Sequence, residues 1–588
     1  MCGIAGELRF DNSESDIAVT KTMCDAQIHR GPDDDGYFSN GPISLGIRRL
    51  SIIDLTKGLY PIQNEEGNIH LVFNGEIYGF HSLRDELEGL GHKFRSKTDA
   101  ETVVHSFEEW GTDCLNRLNG MFAIAIWDEL KQLLWLARDH FGIKPLYYYR
   151  DSKFFLFASE IKPLLTHPGI ARKPNEDVIQ RYMKTGLVEN GDESFFRGIY
   201  RVPPAHHLVI RPDGSLNLAA YWAPRVSREL DGETEDGEIA ETRRLFLEAV
   251  QRQLVSDVPV GTCLSGGLDS SSVVTAVEKI HPSRNIKTFS AVFPGDPVDE
   301  SRYAKLVCES AKAQYNPVTP TANELWDDLP TLVKCQEEPF IDLAIYPQWR
   351  VMKQASESGI RVMLDGQGSD ELLAGYHFYH LFYILTLIRK WKLRRALVEA
   401  WRSRDKTFPW LRERYMKAIL RDVHHGTVSG PVRKHLDDLA SILENDTSKT
   451  SLPVLLRYED KSSMWHSVEA RVPFLDKPFF EYVAMLPLDR KIHDGWSKYV
   501  LRLATKGILP DEVRLRRDKK AFDTPTEWVD ELRPRLIQFF EDSSSLRATM
   551  FYDLQIVRQI LEGSELSRHE MSLVWRAIIL ELWYREFF

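Results

Sequence analysis

The sequence predicts an α/β chain of two units, the first built on antiparallel sheet and the second on a doubly wound parallel sheet. Three observations carry this. Residues 120–128 and 134–139 are apolar and aromatic runs with the character of paired strands, continued at 141–148 and 157–162. Beyond residue 258, apolar runs at 258–264, 286–293 and 360–364 alternate with helical patterns, as in a parallel sheet covered by helices. The 588 residues leave room for two to four domains. The expected division is 2–215 for the first domain, 216–237 for an acidic linker and 238–588 for the second domain.

Hydrophobic residues make up 43% and charged residues 27%, the composition of a soluble globular chain. A net charge of −11 argues against a nucleic-acid partner. Six cysteines in so long a chain are no disulfide framework, and none forms C-x-x-C, which argues against structural zinc. No charged-then-apolar leader opens the chain and no run of about 18 apolar residues spans a bilayer, so a cytoplasmic location without membrane partners is expected.

The chain opens Met1-Cys2-Gly3. Cysteine is small enough for Met1 to be removed, which leaves Cys2 with a free amine. Such an amine titrates at roughly 7.7–8.0 and can serve as base to its own thiol. Alone, Cys2 is as readily a chance second residue, since a free cysteine is usually inert. The following segments change that balance. His29-Arg30-Gly31-Pro32-Asp33 is a turn-rich loop. The strand-like stretch 45–54 carries Arg48 and Arg49, suited to a bidentate carboxylate. Asn74-Gly75 reads either as a hairpin turn or as an amide and a backbone N–H donating to an oxyanion. Asp99 reads either as a helix N-cap or as the partner of an ammonium group.

Together these ordered motifs resemble the class II glutamine amidotransferase domain, an N-terminal-nucleophile (Ntn) hydrolase fold of αββα layers, over roughly residues 2–215. The resemblance implies that Cys2 attacks the side-chain amide of glutamine, releasing ammonia and leaving a γ-glutamyl thioester that water hydrolyses. It implies Asn74 and Gly75 as the oxyanion hole and Arg49 on the glutamine carboxylate. The Ile52 and Ile53 backbone, Glu76 and Asp99 would surround the α-amino end, and Arg30 would help close its loop over the site.

Residues 200–222 look like a closing hairpin. The acidic stretch 229–241 reads as solvated linker, followed by a helix from about 238 to 254 with Leu245, Phe246, Ala249 and Val250 at helical spacing. The strand at 258–264 then runs into Ser265-Gly266-Gly267-Leu268-Asp269-Ser270-Ser271, with an apolar helix starting near Ser272. A glycine turn between strand and helix aims backbone N–H groups at an anion, and the serines add hydroxyl donors. The lysine of the familiar P-loop is missing. A second glycine-rich segment, Asp365-Gly366-Gln367-Gly368-Ser369-Asp370, follows the strand at 360–364. Asp269 and Asp370 each suit an N-cap, but as a pair beside two phosphate-type loops they suit Mg²⁺ on triphosphate oxygens. Lys498 lies in an apolar, aromatic stretch, where a lysine can stabilise developing negative charge.

The first loop resembles the pyrophosphate loop of ATP pyrophosphatases. Residues of about 240–530 resemble the synthetase domain of asparagine synthetases and their relatives. The resemblance implies ATP contacts at Cys263, Leu264, Ser265, Ala291, Asp365 and Gly366. Pyrophosphate would lie on Ser265, Gly266, Gly267, Asp269, Ser270 and Ser271, and Lys498 would be the catalytic lysine. It further implies a carboxylate, aspartate first among candidates, attacking the α-phosphorus of ATP, with ammonia arriving through an internal tunnel. Relatives are commonly dimeric, which makes a homodimer the assembly to test for. One departure stands out: the family usually reads Ser-Gly-Glu-Gly at the second loop, where this chain reads Asp365-Gly366-Gln367-Gly368. Glutamine cannot take a proton from an attacking amine. That leaves open other carboxylates, such as a sugar uronate or a biosynthetic acid. An ATP-dependent cyclase of the lasso-peptide or β-lactam kind is a third reading, opposed by the intact Cys2, Arg49, Asn74-Gly75 and Asp99. Residues 380–450 carry no motif; within them 381–395 run apolar and then basic, and are expected to form a helix packed on the second domain rather than lie on a membrane. Residues 575–584 read as a closing buried helix.

Overall fold

The computed structural model describes residues 2–588 apart from 12, 57, 59, 190, 233, 283–284, 342, 408–437, 519–523 and 564–567. Met1 and part of the 380–450 stretch therefore lie outside the described residues.

In the N-terminal half, described strands are β1 (Cys2–Arg9), β2 (Asp34–Asn40), β3 (Ile43–Arg49), β4 (Ile62–Gln63), β5 (Ile69–Ile77) and β6 (Gly120–Asp128). They continue with β7 (Leu133–Arg138), β8 (Tyr147–Arg150), β9 (Phe154–Ala158), β10 (Ile199–Arg201), β11 (His206–Ile210) and β12 (Leu216–Ala220). Two antiparallel six-stranded sheets result, ordered β10-β8-β9-β1-β3-β2 and β12-β11-β7-β6-β5-β4. Ile4, Leu45 and Phe157 of the first sheet meet Ala123, Ala125 and Trp127 of the second in one core. The alternate residues of β6, Phe122, Ile124 and Ile126, face Val103, Val104 and Phe107 of the helix Ala100–Trp110. β6 is thus covered on both faces, which is why 120–127 is almost continuously apolar. With the helix Ile17–Asp25 on the other sheet, the layers are α, β, β, α.

In the C-terminal half, β13 (Val260–Cys263), β14 (Lys287–Ala291), β15 (Gln314–Val318), β16 (Val362–Leu364) and β17 (Glu469–Arg471) form a parallel sheet ordered β15-β14-β13-β16-β17. Helix Glu235–Gln253 and helix Ile345–Glu357 cover opposite faces. The strand order reverses between β13 and β16, where the two glycine-rich loops emerge. Ligands of doubly wound sheets bind at such a switch point.

Several expected boundaries move. The helix after the first loop begins at Leu268 rather than near Ser272, so Asp269, Ser270 and Ser271 form its first turn. The helix expected from about 238 begins at Glu235, with Glu235, Asp236 and Glu238 in its first turn, where carboxylates complement the helix dipole. Within 216–237, residues Leu216–Ala220 pair with β11 as an edge strand. Asn74 and Gly75 lie inside β5 rather than in a turn. Helix Tyr379–Arg389 buries Tyr379, Phe382, Tyr383 and Leu387 against Leu439 and Leu443. Among the described residues no helix is long and apolar enough to cross a membrane.

Candidate active sites

One cleft lies at the start of β1, lined by Cys2, Arg49, Leu50, Ile52, Ile53, Tyr60, Gly75, Glu76 and Asp99. β1 and β3 set Cys2 opposite Arg49. The Cys2 backbone N–H donates to Asn74 Oδ1 at 3.1 Å. Asn74 Nδ2 donates weakly to Ser159 Oγ at 3.4 Å, and its second N–H has no acceptor among the described residues. Gly75 packs so tightly on β6 that a Cβ there would sit 2.2 Å from the Met121 carbonyl oxygen, and β4 pairs with β5 only as far as Leu71. The strand edge at Gly75 is therefore free of a β4 partner. The Arg49 guanidinium is held by the carbonyls of Thr56 at 2.9 Å, Ile53 at 3.2 Å and Asp54, and lies over the Tyr60 ring. The Ile52 carbonyl accepts the Asp257 N–H at 3.0 Å. Both isoleucine carbonyls thus already have a partner.

Charge in this cleft is arranged against burial. Burial pushes the Cys2 thiol above its ordinary range, against the pull of the Leu50 N–H and Arg49. Asp99 stands at the N-cap position of the helix Ala100–Trp110 but makes no cap. It turns instead to accept the Ile77 N–H at 2.8 Å. Burial raises its carboxyl to about 6 despite that bond. Burial and the neighbouring Asp99 push Glu76 well above the carboxylate range. The Cys2 wall thus presents two buried carboxyl groups whose charged forms burial disfavours.

The cleft reaches the second half through buried ion pairs. Glu76 meets Arg471 of β17, whose guanidinium also binds Glu469 and the carbonyls of Gln253 and Val255. Arg30 does not close a loop over the cleft as expected. It is fully buried, donating to Asp460 at 2.8 and 3.2 Å, to Glu160 at 3.0 Å and to the Cys2 carbonyl at 3.2 Å. The helix Leu452–Met464 that supplies Asp460 also supplies Arg457, paired with Glu338, and Lys461, paired with Glu337. Arg201 and Lys162 of the first half bind the same two glutamates.

The second candidate site is the switch point. Gly266 has φ +88°, and a Cβ there would lie 2.9 Å from the Ala304 nitrogen and the Glu300 carbonyl. Only glycine suits that turn. Ser265 Oγ and Ser270 Oγ lie 3.0 Å apart and the Gly267 N–H donates to Ser265 Oγ, which shapes the loop as a ring of donors. Ser271 Oγ is buried with no hydrogen-bond partner among the described residues. At Gly366 a Cβ would come 2.9 Å from the Ser270 nitrogen, so this glycine lets the second loop lie on the first. Cys263 and Ala291 end neighbouring strands, and Asp365 lies beside Cys263. Leu264 is committed elsewhere: its N–H to Phe289 and its carbonyl to Ser290.

Lys498 corrects the expected apolar setting. Its ammonium lies 2.5 Å from Asp269 and 2.7 Å from Asp370, buried among them. Burial disfavours the ammonium, but the two carboxylates outweigh it and hold its pKa above the ordinary lysine value. The fit is close enough that a Cβ on Gly375 would collide with both Asp370 and Lys498. Two carboxylates converge here on one lysine ammonium, beside the donors of the first loop.

Sequence reasoning missed four groups here. Arg516 donates to the Gly266 carbonyl at 3.1 Å and stacks over Tyr303, holding the first loop. Ser369 Oγ donates to Asp269 at 2.8 Å. Burial and the Asp365 carboxyl push Glu459 well above the carboxylate range, making a buried acid pair. Arg471 joins the sites. Each acts on a partner more than 90 residues away, so no local pattern marks it.

Two family models match the chain: "Glutamine amidotransferase domain" over residues 1–222 and "Asparagine synthase" over residues 241–585. Asparagine synthetase [glutamine-hydrolyzing] 1 of Bacillus subtilis is 30% identical over 99% of this chain and 96% of its own length. Asparagine synthetase [glutamine-hydrolyzing] 3 of the same organism is 32% identical over 88% of this chain and 86% of its own. Amidase chyE of Penicillium rubens is 28% identical over 97% of this chain and 96% of its own. With its αββα half, its parallel-sheet half and these matches, the chain belongs to the asparagine synthase family and is a glutamine-hydrolysing carbon–nitrogen ligase.

Proposed function

We propose that the chain converts aspartate to asparagine, with glutamine as nitrogen donor and ATP cleaved to AMP and pyrophosphate. The observation that carries this reading is the presence of both half-sites in one chain, joined through Glu76 and Arg471. Residues 2–215 act as the glutaminase and 238–588 as the synthetase. With Met1 removed, the Cys2 amine takes the proton of its own thiol, which burial otherwise keeps neutral. The thiolate attacks the glutamine amide carbon while the second Asn74 N–H and the Gly75 N–H receive the oxyanion. Arg49 holds the substrate carboxylate, and Glu76 and Asp99 its ammonium. Ammonia leaves, and water later cleaves the thioester.

At the switch point, the Ser265–Ser271 loop receives the β- and γ-phosphates. Cys263, Ala291, Asp365 and Gly366 border the nucleotide, with Leu264 contributing its buried side chain beneath it. Mg²⁺, held by Asp269 and Asp370, would supply charge neutralisation on the triphosphate. Lys498 stabilises negative charge as the acceptor carboxylate displaces pyrophosphate from the α-phosphorus. Ammonia from Cys2, reaching the site inside the protein, attacks the acyl-adenylate and AMP departs. Gln367 cannot take the proton of the attacking amine.

A second reading keeps this chemistry and changes the acceptor. Gln367 in the place of the family's glutamate favours it, and so does the amidase name of one relative. An intramolecular cyclase has less support, because the Cys2 cleft retains Arg49, Asn74, Gly75 and Asp99. The test is pyrophosphate release with ATP, Mg²⁺, glutamine and a panel of carboxylates, with mass spectrometry of the product. Asparagine from aspartate is expected. Amidation of another acid, with aspartate inert, transfers the assignment to the second reading.

A further inference from the structure

Away from both sites, the outer face of the first half gathers Glu65, His92, His105 and Glu108. One ligand-type atom from each lies within 4.8 Å of all the others. We propose that these four residues form a structural site for a divalent transition-metal ion of the zinc type.

The spacing is compatible with a coordination shell. Glu65 Oε2 lies 3.2 Å from His105 Nδ1, and the same carboxylate's Oε1 lies 3.3 Å from His92 Nδ1. Glu108 Oε2 lies 3.7 Å from both imidazole Nδ1 atoms. Four N or O atoms placed tetrahedrally about 2.1 Å from an ion are about 3.4 Å apart.

Hydrogen bonding within the group leaves its inward atoms unsatisfied. His105 is 1% exposed, and its Nδ1, Glu65 Oε2 and Glu108 Oε2 are buried without a hydrogen-bond partner among the described residues. Buried polar atoms without a hydrogen bond are rare and costly, and three of them converging within ion-pair distance of one another favour a cation between them.

Three of the four outward atoms are held by hydrogen bonds. Glu65 Oε1 accepts the Lys93 N–H at 2.7 Å, Glu108 Oε1 accepts from Asn64 Nδ2 at 2.9 Å, and His92 Nε2 lies 3.4 Å from Glu109. His105 Nε2 faces the Glu101 carboxylate at 3.7 Å without a hydrogen bond. An imidazole whose far nitrogen faces a carboxylate has its near nitrogen left for a metal, the usual outer arrangement of metal-bound histidine.

Two imidazoles and two carboxylates suit Zn²⁺ better than Mg²⁺ or Ca²⁺. Four protein ligands leave no open position, which marks a structural rather than catalytic site. Such an ion would join the loop at 64–68, the turn at 91–94 and the helix Ala100–Trp110, whose N-cap position is Asp99 of the Cys2 cleft. The absence of C-x-x-C removes cysteine-based zinc only; this donor set uses none.

The test is equilibrium dialysis of the full chain against Zn²⁺ in excess Mg²⁺, with elemental analysis, comparing the parent with His105→Gln and Glu108→Gln. The parent should hold one equivalent of zinc more than either variant. Zinc should also raise its unfolding temperature and that of neither variant. Co²⁺ should give the visible bands of a four-coordinate ion in the parent alone. Equal zinc in parent and Glu108→Gln, or no four-coordinate cobalt spectrum in the parent, would overturn the site.

Discussion

Glu76, in the wall of the Cys2 cleft, lies 3.3 Å from Arg471, in the edge strand of the parallel sheet. One guanidinium thus serves both halves, since it also ties β17 to the carbonyls ahead of β13. Removing one partner of a buried pair costs about 3–5 kcal/mol. Arg471→Met is therefore expected to lower stability by about that much in urea unfolding and to raise the glutamine KM. Glu76→Gln added to it should recover part of the stability, measured as a double-mutant cycle.

Cys2→Ala should abolish glutamine hydrolysis and glutamine-dependent synthesis while leaving synthesis from added ammonium. Both rates are read by product mass spectrometry. Loss of the ammonium-dependent rate as well would sink the two-site model.

Asp99 must be a carboxylate to hold the substrate ammonium, and burial raises its pKa to about 6. As pH falls through about 6 the group is protonated and the attraction is lost. The glutamine KM should then rise, and Asp99→Asn should show a high KM that no longer changes across that window. A parent KM that is flat from pH 7 to 5 would count against this role.

Lys498→Met removes the cation between Asp269 and Asp370. Carboxylate-dependent pyrophosphate release should fall by roughly 10²–10³-fold, the usual cost of a lost charge-stabilising group. Glutamine hydrolysis should persist, since the change lies in the other half.

Glu338 tests the pairing between halves by acid. Burial opposes its charge, but Arg201 and Arg457 hold its pKa at about 2, below an unfolded value near 4.3. A depressed acid stabilises the fold above its unfolded pKa, and that contribution disappears as pH falls through about 2. Its size is about 3 kcal/mol for a shift of this order. Glu338→Gln should be less stable than the parent by at least about that amount at pH 6, with the gap closing toward pH 2 in denaturant titrations.

The sequence made legible what is local. A buried strand followed by Ser265-Gly266-Gly267 announces its own turn, and Gly366 follows the same rule after β16. Asn74-Gly75 reads locally as a turn, yet Gly75 is glycine because β6 lies against it, which only the register reveals. Asp99 has the right position for a cap and the wrong side-chain direction. Lys498 sits among aromatic residues in sequence and among carboxylates in space, because its partners lie 229 and 128 residues away. Arg30, expected over the glutamine site, instead pairs with Asp460, 430 residues away. Long-range charge pairing leaves no periodicity behind.

The helix Leu452–Met464 makes the two catalysts hard to exchange. Its Asp460 pairs with Arg30 of the other half, and its Arg457 and Lys461 share Glu338 and Glu337 with Arg201 and Lys162 of that half. A fragment ending near residue 222 would keep Glu160 beside Arg30 and Lys162 but would lose Asp460, Glu337 and Glu338 from those three cations. A chimaera joining this glutaminase to a foreign synthetase would inherit the same mismatch unless the helix were grafted with it. Although each half has a recognisable fold of its own, the heritable unit of design is the pair together with its charged seam.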